Sequence, residues 1–179
     1  TAANLITFTT SDDDVRFNGS TKLQTNAVID TGSTGGGDIT FTSNSPINSE
    51  DGATTERNNL TLNAGTGSVF FNANIGQTQR LGTFTIDRAQ AGVVFGAADS
   101  ASTGASNFVT AVSTDGAIDI GSGTAATDVI GGTGIRLNGG TAANLITFTT
   151  SDDDVRFNGS TKLQTNVLID TGSGGAGNI

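Results

Sequence analysis

The stretch TAANLITFTTSDDDVRFNGSTKLQTN fills residues 1–26 and returns unchanged at 141–166, a register of 140 residues. Beyond it the copies run on as AVIDTGSTGGGDI and VLIDTGSGGAGNI, so 34 of 39 paired positions agree and five differ (27/167, 28/168, 34/174, 36/176 and 38/178). Such near identity inside one chain is hard to keep unless the unit was copied in tandem. Residues 1–140 therefore read as one complete module and 141–179 as the start of the next, with no linker between them. Neither end reads as a natural terminus, and the chain is expected to be a window on a longer array.

Inside the module the recurring signal is a short apolar alternation closed by Gly, Asn or Ser. It is seen in NLITFTT (4–10), DVRFNGS (14–20), DITFTS (38–43), NLTLNAG (59–65) and SVFFNANI (68–75). GTFTID (82–87), GVVFGA (92–97), NFVTAVS (107–113), GAIDIGS (116–122) and GIRLNG (134–139) continue it. A period of two in β-branched and aromatic residues predicts strands, and no stretch carries the 3.6-residue period of a helix. The pairs Val15/Phe17, Ile39/Phe41, Leu60/Leu62, Val69/Phe71, Phe84/Ile86 and Ile135/Leu137 are expected to point inward, with ten Phe as the main filler and Gly and Asn at the corners. The segment 43–59, which holds the one proline, reads as a loop.

Leu60, Phe84 and Phe108 lie 24 residues apart, and Gly-rich corners follow nearly every strand. This favours a coil of two or three short strands per turn, stacked in parallel, over hairpins with two-residue turns. The expected fold is all-β, a right-handed parallel β-helix (β-solenoid) with about six turns per 140-residue repeat. At about 4.8 Å per turn, a module would then advance roughly 28 Å.

Composition narrows the function. Cys, His, Met, Trp and Tyr are all absent, which removes disulfides, thiol nucleophiles, imidazole bases and most transition-metal ligands. One module carries 13 acids and 6 bases, and the whole chain a net charge of −9, with no basic cluster for nucleic acid or an anionic membrane. No apolar run reaches the roughly 20 residues needed to span a bilayer. The closest mixed-charge pairs, Glu56/Arg57 and Asp87/Arg88, are sequence neighbours that a strand sends to opposite faces, so no enzyme is expected.

The strings NNLTLNAGTGSVFFNANIG with LGTFTIDRA, and GAIDIGSG with GIRLNG, resemble the repeats of filamentous-haemagglutinin-like adhesins and giant bacterial β-strand-repeat exoproteins. The resemblance covers essentially the whole chain but rests on a style of sequence rather than a diagnostic motif. It implies a right-handed parallel β-helix carried on a very large extracellular or cell-surface bacterial protein, and it supplies no ligand.

Asp12, Asp13 and Asp14, repeated as Asp152, Asp153 and Asp154, place three carboxylates at a corner close to backbone carbonyls, the donor type calcium takes. They lack the spaced D-x-D-x-D pattern, and a solvated acidic turn is the alternative. GGTGIRL (131–137) approaches the calcium β-roll repeat but has Arg136 where that repeat has Asp. No other cofactor is expected. Four Thr-Phe-Thr triplets (7–9, 40–42, 83–85, 147–149) would turn Thr outward, but their spacings of 33, 43 and 64 residues do not align on one face as an ice-binding plane requires. Two functions remain. One is a structural fibre module that gives length and rigidity, its partners being neighbouring repeats and copies of itself end to end or side by side. The other is an adhesin shaft binding host or matrix glycans.

Overall fold

The computed structural model describes residues 4–32, 34–50, 57–96, 108–122, 130–138 and 145–179. Among these there is no helix, and every strand pairing is parallel. The chain visits three sheets, A, B and C, in fixed rotation. A first circuit runs β1 (Leu5–Thr9), β2 (Val15–Phe17) and β3 (Thr21–Leu23), and a second runs β4 (Asn26–Asp30), β5 (Ile39–Phe41) and β6 (Ile47–Ser49). The third has β7 (Leu60–Asn63) and β8 (Ser68–Phe71), then crosses sheet C through Ile75 alone, which bridges Ile47 and Val112. The fourth is β9 (Phe84–Arg88), β10 (Gly92–Phe95) and β11 (Ala111–Ser113). The fifth is β12 (Ile118–Ile120), β13 (Ile130–Leu137) and β14 (Leu145–Thr149), and the sixth β15 (Val155–Phe157), β16 (Gly159–Leu163) and β17 (Asn166–Asp170). Sheet A is ordered β1-β4-β7-β9-β12-β15 and sheet B β2-β5-β8-β10-β13-β16, while sheet C holds β3-β6 and β11-β14-β17.

The circuits are unequal. Leu5 faces Asn26, Ala27 faces Leu60, Leu60 faces Phe84, Phe84 faces Ile118 and Ile118 faces Val155, giving steps of 21, 33, 24, 34 and 37 residues. The surplus of the long steps lies in residues 33, 51–56, 97–107, 123–129 and 139–144; without them the steps are 21, 26, 24, 23 and 24. The 24-residue period is thus the bare circuit, and the added stretches dephase it. Phe108 does not follow Phe84 on sheet A, where Ile118 takes that place. For the same reason the expectation of six turns per module fails. From β1 to its copy β14 the chain completes four circuits and two thirds of a fifth.

Alternation works as anticipated within the strands. Ile39, Phe41, Leu60, Leu62, Val69, Phe71, Phe84, Ile86, Ile135 and Leu137 are buried, and they join residues of all three sheets in one hydrophobic cluster. Val15 and Phe17 are only partly buried because they lie near the end of the stack. Phe17, Phe41, Phe71 and Phe95 hold the same inward position of sheet B on successive circuits, with ring centroids 4.7, 5.4 and 5.0 Å apart and nearly parallel planes. Parallel in-register pairing sets that spacing, since each ring rides one strand repeat above the last. Phe70 and Phe108 are half-buried and stand outside this ladder.

Two sequence expectations need correction. The segment 43–59 is not one loop: Pro46 accepts a hydrogen bond from the Thr21 amide through its carbonyl (2.9 Å), and β6 follows at once with Ile47 and Ser49 buried. Proline needs no donor there, so it can open a strand. Asn also does not occupy corners by taking positive φ; among the described non-glycine residues only Asp12 (66°) and Asp152 (65°) do so. Asn instead caps the next circuit. Asn26 Oδ1 accepts from the Asn59 amide (2.8 Å), Asn59 Oδ1 from Thr83 (2.8 Å), Asn48 Oδ1 from Thr78 (3.0 Å) and Asn74 Oδ1 from Thr110 (2.7 Å). Each such bond satisfies an amide that leaves the ladder where the chain bends.

Candidate functional site

The acidic corner folds the same way twice. Thr10 Oγ1 donates to the Asp13 carbonyl and Thr150 Oγ1 to that of Asp153, which bends the chain so that Asp12 and Asp152 enter the left-handed region. Their carboxylates then reach the following circuit. Asp12 Oδ1 accepts from the Gly35 amide (3.0 Å) and Asp14 Oδ1 from the Asp38 amide (2.7 Å); in the second copy Asp152 accepts from Gly174 and Asp154 from Asn178 (2.7 Å). The Asp152 bond has moved one residue along the loop, from the equivalent of Gly35 to the equivalent of Thr34, where the second copy has glycine. Among the described residues no three acidic, His or Cys side chains converge as metal ligands. Asp12, Asp14, Asp152 and Asp154 serve as amide acceptors between circuits.

Of the mixed-charge pairs, Glu56 lies outside the described residues. Arg57 instead bonds Asp115, and Ser122 donates to Asp87. The Thr-Phe-Thr triplets fall on sheets A, B, A and C in turn, so no single face collects them.

The arrangement that organises most of these groups is the seam where the second copy meets the end of the first module. β14 lies on β11 with Val112 facing Phe148, β15 on β12 with Ile118 facing Val155, and β16 on β13 with Leu137 facing Leu163. Amides cross the seam in both directions: Thr147 donates to Thr110 O (3.0 Å), Thr114 to Thr149 O (2.9 Å), Ile118 to Asp154 O (3.0 Å) and Gln164 to Leu137 O (3.0 Å). Polar side chains rim it. Arg156 Nε pairs with Asp119 Oδ1 at 2.8 Å, and Arg80 donates to Ser151 Oγ (2.8 Å) while standing 3.7 Å from Asp115. Beneath them Phe148 sits edge-on to Phe95 at 5.6 Å.

Sequence reading found the repeat but not this seam, because the signal lies in residues 111–137, whose pairing partners are 34 to 37 residues away and separated by added stretches. It also passed over β3, β4 and β6, of which TKL and INS carry too few apolar residues to register as strands. No protein-family model, curated protein or solved structure matches this chain.

Proposed function

We propose that the chain is a right-handed parallel β-solenoid and a structural repeat module of a long extracellular or cell-surface bacterial fibre, supplying length and rigidity. The carrying observation is the seam: module joins module through the same parallel ladder that joins circuit to circuit within the module. Nothing special marks the junction, so adding modules adds length without creating a hinge. The right hand follows from the general preference of parallel crossovers. With four and two-thirds circuits per module, each copy advances roughly 22 Å at about 4.8 Å per circuit. The bacterial surface setting rests on the resemblance of the repeat strings alone.

Chains carrying one, two and three additional modules test this. Electron microscopy or small-angle scattering should show rods of constant width that lengthen by roughly 22 Å per module. Beads that bend freely at each junction would sink the fibre reading. Selective capture of one glycan on an array would favour the adhesin shaft instead. Calcium plays no part in this proposal, because four of the six corner carboxylates already hold amides. The melting temperature is expected to be the same in millimolar calcium and in chelator.

A further inference from the structure

The front of the molecule is an open apolar end. β1 is the outermost strand of sheet A, β2 of sheet B and β3 of its part of sheet C. Ile6 (49% exposed) and Phe8 (46%) face solvent there, over a cavity of about 140 Å³ that Phe17, Leu23 and Ala27 also line. The same letters in the second copy are closed. Ile146 and Phe148 are fully buried, because residues 111–137 cover them.

We propose that the front face of β1, β2 and β3 is a docking surface for residues 111–137 of a preceding copy of this module. The inference rests on the modular reading above and deepens it by naming the contact and its geometry. Because the seated and unseated sequences are identical, the partner residues can be assigned one by one. Phe8 takes Val112 of the preceding copy, Val15 takes Ile118, and Leu23 takes Leu137, as Phe148, Val155 and Leu163 do within this chain. Arg16 is an exposed cation without an ion pair among the described residues, and it receives Asp119 as Arg156 does here.

The geometry carries a rotation. β11 of sheet C receives the copy of β1, β12 of sheet A the copy of β2, and β13 of sheet B the copy of β3. Sheet A of one module therefore runs on as sheet B of the next, B as C, and C as A. Each module is turned by a third of a circuit against its neighbour, and orientation returns only every third module. The acidic corner of each copy then faces a different side, so negative charge winds around the array rather than collecting in one stripe.

The chain contains no cysteine, so single thiols report cleanly. Ile6→Cys and Ile146→Cys are made in the 179-residue chain, and Ile6→Cys also in the second module of a chain extended in front by residues 1–140, joined through Gly140 to Thr1. With 5,5′-dithiobis(2-nitrobenzoate), position 6 of the short chain should react roughly 100-fold faster than position 146, whose exposure requires local opening. In the extended chain its rate should fall to that of position 146. A rate that stays fast overturns the proposal, while rods that still lengthen would leave the fibre reading standing.

A second measurement fixes the register. Asp119→Cys with Arg156→Cys in the short chain should form a disulfide, since these residues face each other on neighbouring strands about 4.8 Å apart. Asp119→Cys in the front module with Arg16→Cys in the next should do the same in the extended chain. Failure there, with the short-chain control bonded, overturns the rotation.

Discussion

Leu-Ile-Thr-Phe-Thr occurs at 5–9 and at 145–149, in one molecule and with one local conformation, yet its apolar side chains are half exposed in the first place and buried in the second. Both copies pair forward in the same register, Leu5 with Asn26 and Leu145 with Asn166. What differs is the neighbour behind. β14 has β11, whereas β1 has no strand on that side. Strand formation is therefore set by the local alternation and the forward neighbour, while burial is set by the circuit before. In a stacked fold each repeat supplies half of its neighbour's core, and stability is shared between adjacent circuits.

The largest expected difference between the copies follows directly. Phe148→Ala removes a fully buried ring that touches Phe95 and Phe157, and should cost about 3–5 kcal/mol in urea unfolding. Phe8→Ala removes a ring already half in water and should cost about 1 kcal/mol. Equal losses would mean that the front end is covered in solution, by self-association or otherwise, and dilution would then separate them.

This contrast also marks how far the letters can be read. Strand identity and inward facing were legible for Ile39/Phe41, Leu60/Leu62 and Phe84/Ile86, because a period of two is a local property of the chain. The pairing of Leu60 with Phe84 was legible as well, since no added stretch lies between them. The partner of Phe84 was not. Residues 97–107 push it from position 108 to Ile118, and spacing alone does not separate an added stretch from another strand. The acidic corner was visible as three consecutive carboxylates, but its role was hidden. Asp14 meets the Asp38 amide 24 residues on only because one circuit returns it there.

The five differences between the copies sharpen the comparison next. A Cβ added at Gly36 would lie 2.1 Å from the Gly67 nitrogen, against backbone of the following circuit. Gly36→Ala should therefore cost about 1–3 kcal/mol, as overpacking does. The second copy already carries Ala176 at this position, on the last circuit, where no described strand lies beyond it. Ala176→Gly should shift the midpoint by less than about 1 kcal/mol, and slightly downward, because glycine loosens the unfolded chain. If Gly36→Ala is as mild, the corner gives way more easily than its contacts imply.

Smaller again is the effect at the amide caps. Asp14 and Asp154 each hold the amide of the residue 24 positions on, Asp38 and Asn178, at 2.7 Å. Replacing either Asp by Ala frees one amide that water can reach, so each loss should be about 1 kcal/mol. Asp38→Asn, which repeats the natural difference at 38/178, should change little, because Asn keeps the acceptor that takes the Ser68 amide at 2.7 Å. A large loss on Asp38→Asn would show that charge, rather than an oxygen lone pair, is what the corner needs.

The smallest difference separates two arginines of the same sequence. Arg156 pairs with Asp119 at 2.8 Å and also donates to the Gly121 carbonyl at 3.3 Å, but its side chain is half exposed. An ion pair so placed gains little over water and salt, so Arg156→Ala should cost about 0.5 kcal/mol, less at 1 M salt than at low salt. Arg16→Ala removes a solvated cation and should cost nothing measurable in this chain. The informative step is to repeat both substitutions in the chain extended by a front module. If Asp119 of that module docks on β2, Arg16→Ala there acquires the same small, salt-sensitive cost, and a double-mutant cycle with Asp119→Ala gives a coupling equal to that of the Arg156 pair. A coupling at Arg156 with none at Arg16 would show that the two copies, though identical in letters, do not receive their neighbours in the same register.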